Sequence, residues 1–213
     1  MSRPRVLIGD DHRLVAEGLE KLLQPDYEIV DIVADGWQLV SRAEQCKPDL
    51  ILADITMPQL NGLDACEKIV KAGHCSKIVF LTMHQDAIYA LRALRIGAVG
   101  FVLKQSASSE LLTAIETVLA GTSYISSPVA AQLQQISQTS KNDLRDELLL
   151  TPRQREILQL FAEGNSAREV ADVLSISVRT AENHKNHIMV LLGVTSTAEL
   201  VRCAIRHGLI APC

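Results

Sequence analysis

Residues 49–62 read DLILADITMPQLNG, and within them Leu50–Ala53 is an unbroken apolar run that ends on Asp54. A short run of this kind, without alternation, fits a strand covered on both faces, which is the habit of parallel sheets. Similar segments stand at Arg5–Ile8, Glu28–Ala34, Ile78–Thr82 and Gly100–Leu103. Between them, apolar and small residues recur at helical spacing, as in Leu14, Gly18, Leu19, Leu22, Leu23 and again in Leu63, Cys66, Ile69, Val70. Five strands alternating with five helices predict an α/β domain of (βα)5 type, with a central parallel sheet, over residues 1–122. Such a sheet places its ligands at the carboxyl ends of the strands.

Past Gly121, which closes the fifth helix, Ser126–Asn142 is rich in Ser, Gln and Thr, the composition of a linker. A weak helical pattern at Val129, Leu133 and Ile136 predicts that part of the span 123–147 folds or docks. The second unit, residues 148–213, opens with Thr151, Pro152 and Gln154, a capping box with proline at the first helical position. Gly164 ends that helix, Ser166 caps the next, Ser175–Ser177 interrupts before a third, and Ala198–His207 with Gly208 gives a fourth. Four short helices make this a small all-α module.

The 213 residues are 47% hydrophobic and 22% charged, enough for buried cores and unlike a disordered chain. No apolar run approaches the roughly 18 residues of a membrane span, so no membrane partner is expected. Cys46, Cys66, Cys75, Cys203 and Cys213 are odd in number and lack C-x-x-C spacing, against a disulfide framework or a structural zinc site. The N-terminus meets Asp10 and Asp11 too early for a secretory signal, so a reducing cytoplasm is the expected compartment. The net charge of −4 is uneven: residues 1–125 carry twelve Lys/Arg against sixteen Asp/Glu, and residues 151–213 seven against six. Any polyanion contact is therefore expected at the rear.

Asp10 and Asp11 follow the first predicted strand, Asp54 the third, Thr82 the fourth and Lys104 the fifth. In a parallel sheet these ends converge on one edge. Taken singly, each has an ordinary explanation as a helix cap, strand residue or surface lysine. Together they crowd negative charge, at a cost of about 4 kcal/mol per pair at ~4 Å and an effective dielectric near 20. A hard divalent cation with oxygen ligands relieves this, and a sparse ligand set suits Mg²⁺. A metal and a lysine beside one carboxylate also make a phosphoryl site, with Asp54 as nucleophile, Lys104 pairing the phosphoryl oxygens and the Thr82 hydroxyl bonding one of them.

Residues 4–121 resemble the receiver domain of two-component response regulators. The matching segments are VLIGDD, DLILADITMPQLNG, IVFLTMH and GAVGFVLK, in the family's order and with its spacing from Thr82 to Lys104. The resemblance implies that Asp54 is the phosphoacceptor, and that Asp10, Asp11, Asp54 and the Thr56 backbone carbonyl hold Mg²⁺. It also implies that Phe101 is the aromatic switch partner of Thr82. Where many receivers have proline after the lysine, with a cis bond, Gln105 stands here, and a retained cis bond would cost about 2.5–4 kcal/mol. Thr56 and His84 occupy the two positions that influence phosphoryl lifetime in this family.

Residues 148–210 resemble the DNA-binding domain of NarL/LuxR-type regulators, through LTPRQREILQLFAEG, SAREVADVLSISVRTAENHKNHI and LGVTSTAELVRCAIRHGLI. Receiver plus this helix-turn-helix domain is the NarL/FixJ layout. In the third helix of the module, Ala181, His184 and Ile188 follow an inward face. Glu182, Asn183, Lys185 and Asn186 then point outward to a major groove, where Asn reads adenine edges and Glu accepts from cytosine N4. Arg179, Thr180 and Lys185 suit phosphates, and His187 a phosphate at most. Val190 and Leu191 replace residues that are usually basic, which lowers nonspecific affinity or extends an apolar dimer surface. Phe161 is the module's sole aromatic, which disfavours RNA.

The expected function is a response regulator, phosphorylated on Asp54 by a sensor histidine kinase and acting on double-stranded DNA as a homodimer when phosphorylated. Contact with RNA polymerase is a further expectation. Dimerisation would use either the first and fifth helices or the fourth helix, fifth strand and fifth helix. The alternative is a phosphorylation-independent DNA-binding regulator whose receiver only docks proteins. A Mg²⁺-dependent phosphatase is disfavoured, because Thr56 replaces the second acid such enzymes carry. The expected catalysis is limited to the chain's own phosphoryl transfer and autodephosphorylation.

Overall fold

The computed structural model describes residues 3–83, 87–106, 108–139 and 150–210, so His84 and the whole span 140–149 lie outside the described residues. The first domain runs β1 (Arg5–Gly9), α1 (Arg13–Leu23), β2 (Glu28–Val33), α2 (Gly36–Cys46), β3 (Leu50–Ala53) and α3 (Gly62–Ala72). It continues with β4 (Ile78–Thr82), α4 (Ala87–Arg95), β5 (Gly100–Leu103), α5 (Ser108–Leu119), β6 (Tyr124–Ile125) and α6 (Ser127–Thr139). The sheet is parallel throughout, in the order β2-β1-β3-β4-β5-β6. The order reverses between β1 and β3, and a crevice opens outside the carboxyl ends at such a point.

Alternation along the strands sorts two cores. Leu7, Ile51, Ile78, Phe80 and Phe101 pack with Leu39, Leu63, Ile69 and Tyr89 on one face. On the other, Val6, Ile8, Leu50, Leu52, Val79 and Val102 pack with Leu19, Leu23, Leu111 and Ile115. Burial on both faces explains why these strands read as continuous apolar runs. The five expected strands are present, and β6 is a sixth, pairing Tyr124 with Gly100 and Phe101 with Ile125. Two residues between Ser123 and Ser126 carry too little pattern to be read as a strand. Beyond β6, Val129 is fully buried and Leu133 packs against the same core, so α6 lies on the receiver beside α4, where Gln132 accepts the Ala87 N–H at 3.2 Å. No peptide bond among the described residues is cis, so Lys104–Gln105 is trans.

The second domain holds α7 (Pro152–Ala162), α8 (Ala167–Leu174), α9 (Val178–Leu192) and α10 (Thr197–Arg206). Thr151 forms the expected capping box with Gln154, Ser166 caps its helix as expected and adds a box with Glu169, and Ser196 forms another with Glu199. Such caps contribute about 1 kcal/mol each. Ile157, Leu160, Val170, Ala181, Ile188 and Leu200 make the core.

The two domains are in contact, and α7 makes most of the junction. Arg155 Nε and Nη2 donate to Asp64 Oδ1 at 2.9 and 2.7 Å, and Lys68 Nζ lies 2.7 Å from Glu156. Gln159 donates to the Met57 carbonyl and accepts the Asn61 N–H, both at 2.8 Å. Trp37 packs against both the receiver core and the helical core, with Lys68 Nζ 5.1 Å from its ring centroid. At the far end Gly208 has φ +62°, and a Cβ there would fall 2.1 Å from Tyr89 Cε1, so only glycine permits this approach.

Candidate functional site

Asp10 and Asp54 leave adjacent strands at the crevice, each fixed by a backbone bond: Asp10 N–H to the Val33 carbonyl at 3.0 Å and Asp54 N–H to the Gly9 carbonyl at 2.8 Å. Gly62 closes the loop after β3. A Cβ on it would lie 1.9 Å from the Asp54 carbonyl oxygen, so the start of α3 sits against the backbone of the acidic residue. Lys104 follows β5, and its Nζ stands 2.7 Å from both Asp10 Oδ2 and Asp54 Oδ2. Thr82, at the end of β4, is fully buried, and its carbonyl accepts the Lys104 N–H at 2.8 Å. Asp54 Oδ1 accepts the Ile55 N–H at 2.6 Å and the Thr56 N–H at 3.4 Å.

The electrostatics follow from that crowding. Burial raises the Asp54 pKa, with the Asp10 charge adding and Lys104 opposing. For Lys104, burial works against the charged form, but Asp54 and Asp10 outweigh it and raise the pKa, so the ammonium is held. Ligand atoms of Asp10, Asp11, His12 and Asp54 lie within 4.8 Å of one another, a cluster that could hold a metal ion. Three carboxylates make it a hard, oxygen-rich donor set. His12 was not legible as part of it, yet its Nδ1 lies 2.9 Å from Asp11 and 3.4 Å from Asp10. Phe101 is buried in the core, paired in register with Phe80.

In α9, Arg179, Glu182, Asn183, Asn186 and His187 are exposed, Ala181 and Ile188 are buried, and Thr180 and His184 are half-buried. Lys185 is half-buried as well: its ammonium stands 4.9 Å from the Phe161 ring centroid rather than pointing freely outward. The Thr180 hydroxyl lies 2.7 Å from Ser177 Oγ at the helix cap. Val190 is 79% exposed and Leu191 37%, an apolar end to the helix.

The sequence reading missed the junction. Arg155, Glu156, Gln159 and Glu163 recur at helical spacing along α7, and this polar stripe on a second face was the available signal. Asp64 is buried. Its burial would raise the pKa, but Arg92 and Arg155 prevail and hold its carboxyl below the usual range. Glu163 accepts the Gln59 N–H at 2.9 Å, and its partial desolvation raises its pKa. It faces Asp11, Thr56 and Met57 across a cleft of about 170 Å³ that Leu209 and Ile210 also line.

A sheet edge bearing this acid–lysine cluster, joined to a helix-turn-helix unit, defines a two-component response regulator. Residues 6–116 match the response regulator receiver domain and residues 148–204 the LuxR family of bacterial regulatory proteins. The chain belongs to the LuxR-type response regulators, which are transcription regulators rather than enzymes acting on outside substrates. It is 37% identical to the oxygen regulatory protein NreC of Staphylococcus carnosus (strain TM300), over 97% of this chain and 99% of that protein. NreC of Staphylococcus aureus (strain JH9) matches at the same identity and coverage. Among solved structures, an RcsB response regulator–DNA complex is 26% identical, with TM-score 0.59 over 94% of this chain and 97% of that one. The response regulator ChrA of a heme-sensing two-component system is 29% identical, with TM-score 0.53 over 99% and 100%. No single helix among the described residues is long and apolar enough to cross a membrane.

Proposed function

We propose that Asp54 accepts a phosphoryl group from a sensor histidine kinase in the cytoplasm, and that this controls dimerisation and the grip of α9 on double-stranded DNA. The observation that carries the reading is Lys104 Nζ set 2.7 Å from Asp54 and from Asp10 at the sheet's crevice. The donor set fits Mg²⁺, held by Asp10, Asp11, Asp54 and the Thr56 backbone carbonyl. Bound there, the ion offsets the charge of the carboxylates and of the incoming phosphoryl oxygens. An Asp54 carboxylate oxygen attacks phosphorus as the bond from phosphorus to the kinase's histidine nitrogen breaks and the imidazole leaves with the electron pair; Lys104 pairs with a phosphoryl oxygen, and the Thr82 hydroxyl bonds another. Rearrangement of Thr82 and Phe101 carries the change outward. Water attacking the same phosphorus breaks its bond to the Asp54 carboxylate oxygen, releases inorganic phosphate and returns the site to its starting state.

What is covered supports the α1–α5 side as the dimer surface. β6 pairs with β5 and α6 lies beside α4, so the fourth-helix side is already occupied. The α1–α5 side keeps an open apolar groove of about 390 Å³ with Leu14, Leu22, Met83 and Leu111 among its walls. Two linked domains then gain avidity on a two-half-site operator, with Glu182, Asn183 and Asn186 at base edges and Arg179, Thr180 and His187 toward phosphates, which Lys185 joins only by leaving the Phe161 ring. RNA polymerase is the partner downstream. That a related regulator is solved as a DNA complex supports this reading.

Incubation with acetyl phosphate and Mg²⁺ should add one phosphoryl group to the intact chain and none to Asp54→Asn. The phosphorylated protein should protect its operator at lower concentration than that variant. Equal protection by both would leave the DNA-binding domain unlinked to the receiver.

A further inference from the structure

We propose that Ser126 is a positioning residue for phosphoryl capture: its hydroxyl fastens the end of β5 from which Lys104 reaches Asp54. The inference rests on the reading of Asp54 as phosphoacceptor, and Ser126 lies beyond the residues 6–116 that match the receiver family. The pairing of β5 with β6 shows why a hydroxyl is needed there. Phe101 pairs with Ile125, and the Ser126 N–H donates to the Phe101 carbonyl at 2.9 Å. In a parallel ladder the next bond runs from the Leu103 N–H to the Ser126 carbonyl. That carbonyl has turned away: it accepts the Val129 and Ala130 N–H groups, both at 3.0 Å, and so opens α6. The Ser126 Oγ takes its place and accepts the Leu103 N–H at 3.3 Å. Leu103 is 5% exposed and Ser126 fully buried, so water is not at hand to replace that bond.

Ser126 Oγ in turn donates to Glu110 Oε1 at 2.5 Å, which fixes the hydroxyl with its lone pairs toward Leu103. Glu110 stands in the first turn of α5, just past the loop that follows Lys104. Hydrogen bonds from Ser126, Ser106 and Tyr124 hold its carboxyl below the usual range, so it is an ionised acceptor near neutral pH. One carboxylate thus gathers β6, the head of α6 and the Lys104 loop. The Lys104 N–H is tied on the β4 side to the Thr82 carbonyl at 2.8 Å, and the turn after it closes with the Ser106 N–H on the Leu103 carbonyl at 2.9 Å. Gln105 follows, so no proline ring fixes the backbone there. On the β6 side the fastening is the Ser126 hydroxyl. From this base the ammonium is set 2.7 Å from both Asp10 and Asp54. A freed Leu103 lets Lys104 swing, and misplacement by about 1 Å costs up to roughly 100-fold in rate.

The test uses the full chain with acetyl phosphate and Mg²⁺, and initial rates of adduct formation are read by intact mass. Capture forms a bond from an Asp54 carboxylate oxygen to phosphorus and breaks the bond from phosphorus to acetate, which leaves with the electron pair. Ser126→Ala leaves the Leu103 N–H unpaired and should capture about tenfold slower than wild type, the scale of one buried hydrogen bond. Ser126→Thr restores a hydroxyl and should return the rate to within about twofold of wild type. Glu110→Met keeps the serine but frees its hydroxyl to rotate, and should slow capture about threefold. Val129→Ala weakens the docking of α6 without touching the hydroxyl, and its folded fraction should capture at the wild-type rate. Should Ser126→Ala lose its fold, Glu110→Met against Val129→Ala decides alone. Wild-type rates in Ser126→Ala and Glu110→Met, slowing by Val129→Ala as large as theirs, or no recovery in Ser126→Thr would overturn the proposal while leaving Asp54 as acceptor. No adduct in any form, wild type included, would remove the acceptor and this proposal with it.

Discussion

Asp64 is the charge on which the junction turns. Its Oδ1 accepts from Arg92 Nη2 at 2.5 Å and from Arg155 Nε and Nη2 at 2.9 and 2.7 Å, with only 2% of the side chain exposed. Asp64→Asn removes the negative member and leaves two nearly buried guanidiniums facing an amide. Breaking a buried ion pair from one side costs about 3–5 kcal/mol. Arg155 keeps Glu67 at 3.2 Å and the Leu150 carbonyl at 3.0 Å, and its side chain is 14% exposed, so part of its loss is recovered. Asp64→Asn should therefore cost about 4 kcal/mol, of which about 2 kcal/mol is the Arg155 coupling, the scale of a charged hydrogen bond. The coupling is measured by a double-mutant cycle with Arg155→Met, read from urea unfolding of the full chain by Trp37 emission. A coupling below ~0.5 kcal/mol, the level of additivity between independent sites, would show that Arg155 and Asp64 do not hold the domains together.

The same pair predicts an acid limit. Because the Asp64 pKa is depressed in the folded state, its contribution is fully present above the ordinary aspartate value and is lost as pH falls through the lowered one. Trp37 emission should thus hold steady on acidification to about pH 4 and change below it, and parting of the domains between about pH 7 and 5 would contradict this. Gly62→Ala must move the Asp54 carbonyl, 1.9 Å from the new Cβ, so it should lower the melting temperature by many degrees and abolish adduct formation together. Arg179→Met should reduce the salt slope of DNA binding by about one unit, whereas Lys185→Met, whose ammonium lies over Phe161, should change it less and cost about 0.5–1 kcal/mol of stability. Filter binding over a salt series, with parallel melting curves, separates the two.

Periodicity made the sheet legible, because each buried strand shows an apolar run and each helix an apolar stripe. Asp10, Asp54, Thr82 and Lys104 were legible as a group because the end of a parallel strand is a fixed address. The strand Tyr124–Ile125 was not, since two residues cannot show a period. The contacts of Arg155 and Gln159 were hidden for a different reason. They span 91 and 98 residues of sequence, and their partners include backbone groups, which leave no residue-type signature. Lys185 looked outward on spacing alone, but a long flexible stem let its ammonium fold back onto an aromatic ring.

The last strand and the helix after it bear on how this chain could be recombined. A chimera spliced at residue 122 would strip β6 from the sheet edge and uncover the site that buries Val129. Grafting a foreign output module after Thr139 would carry the intact input half across. A splice that respects the packing therefore falls after β6 and α6, a strand and a helix beyond the stretch whose motifs resemble a receiver.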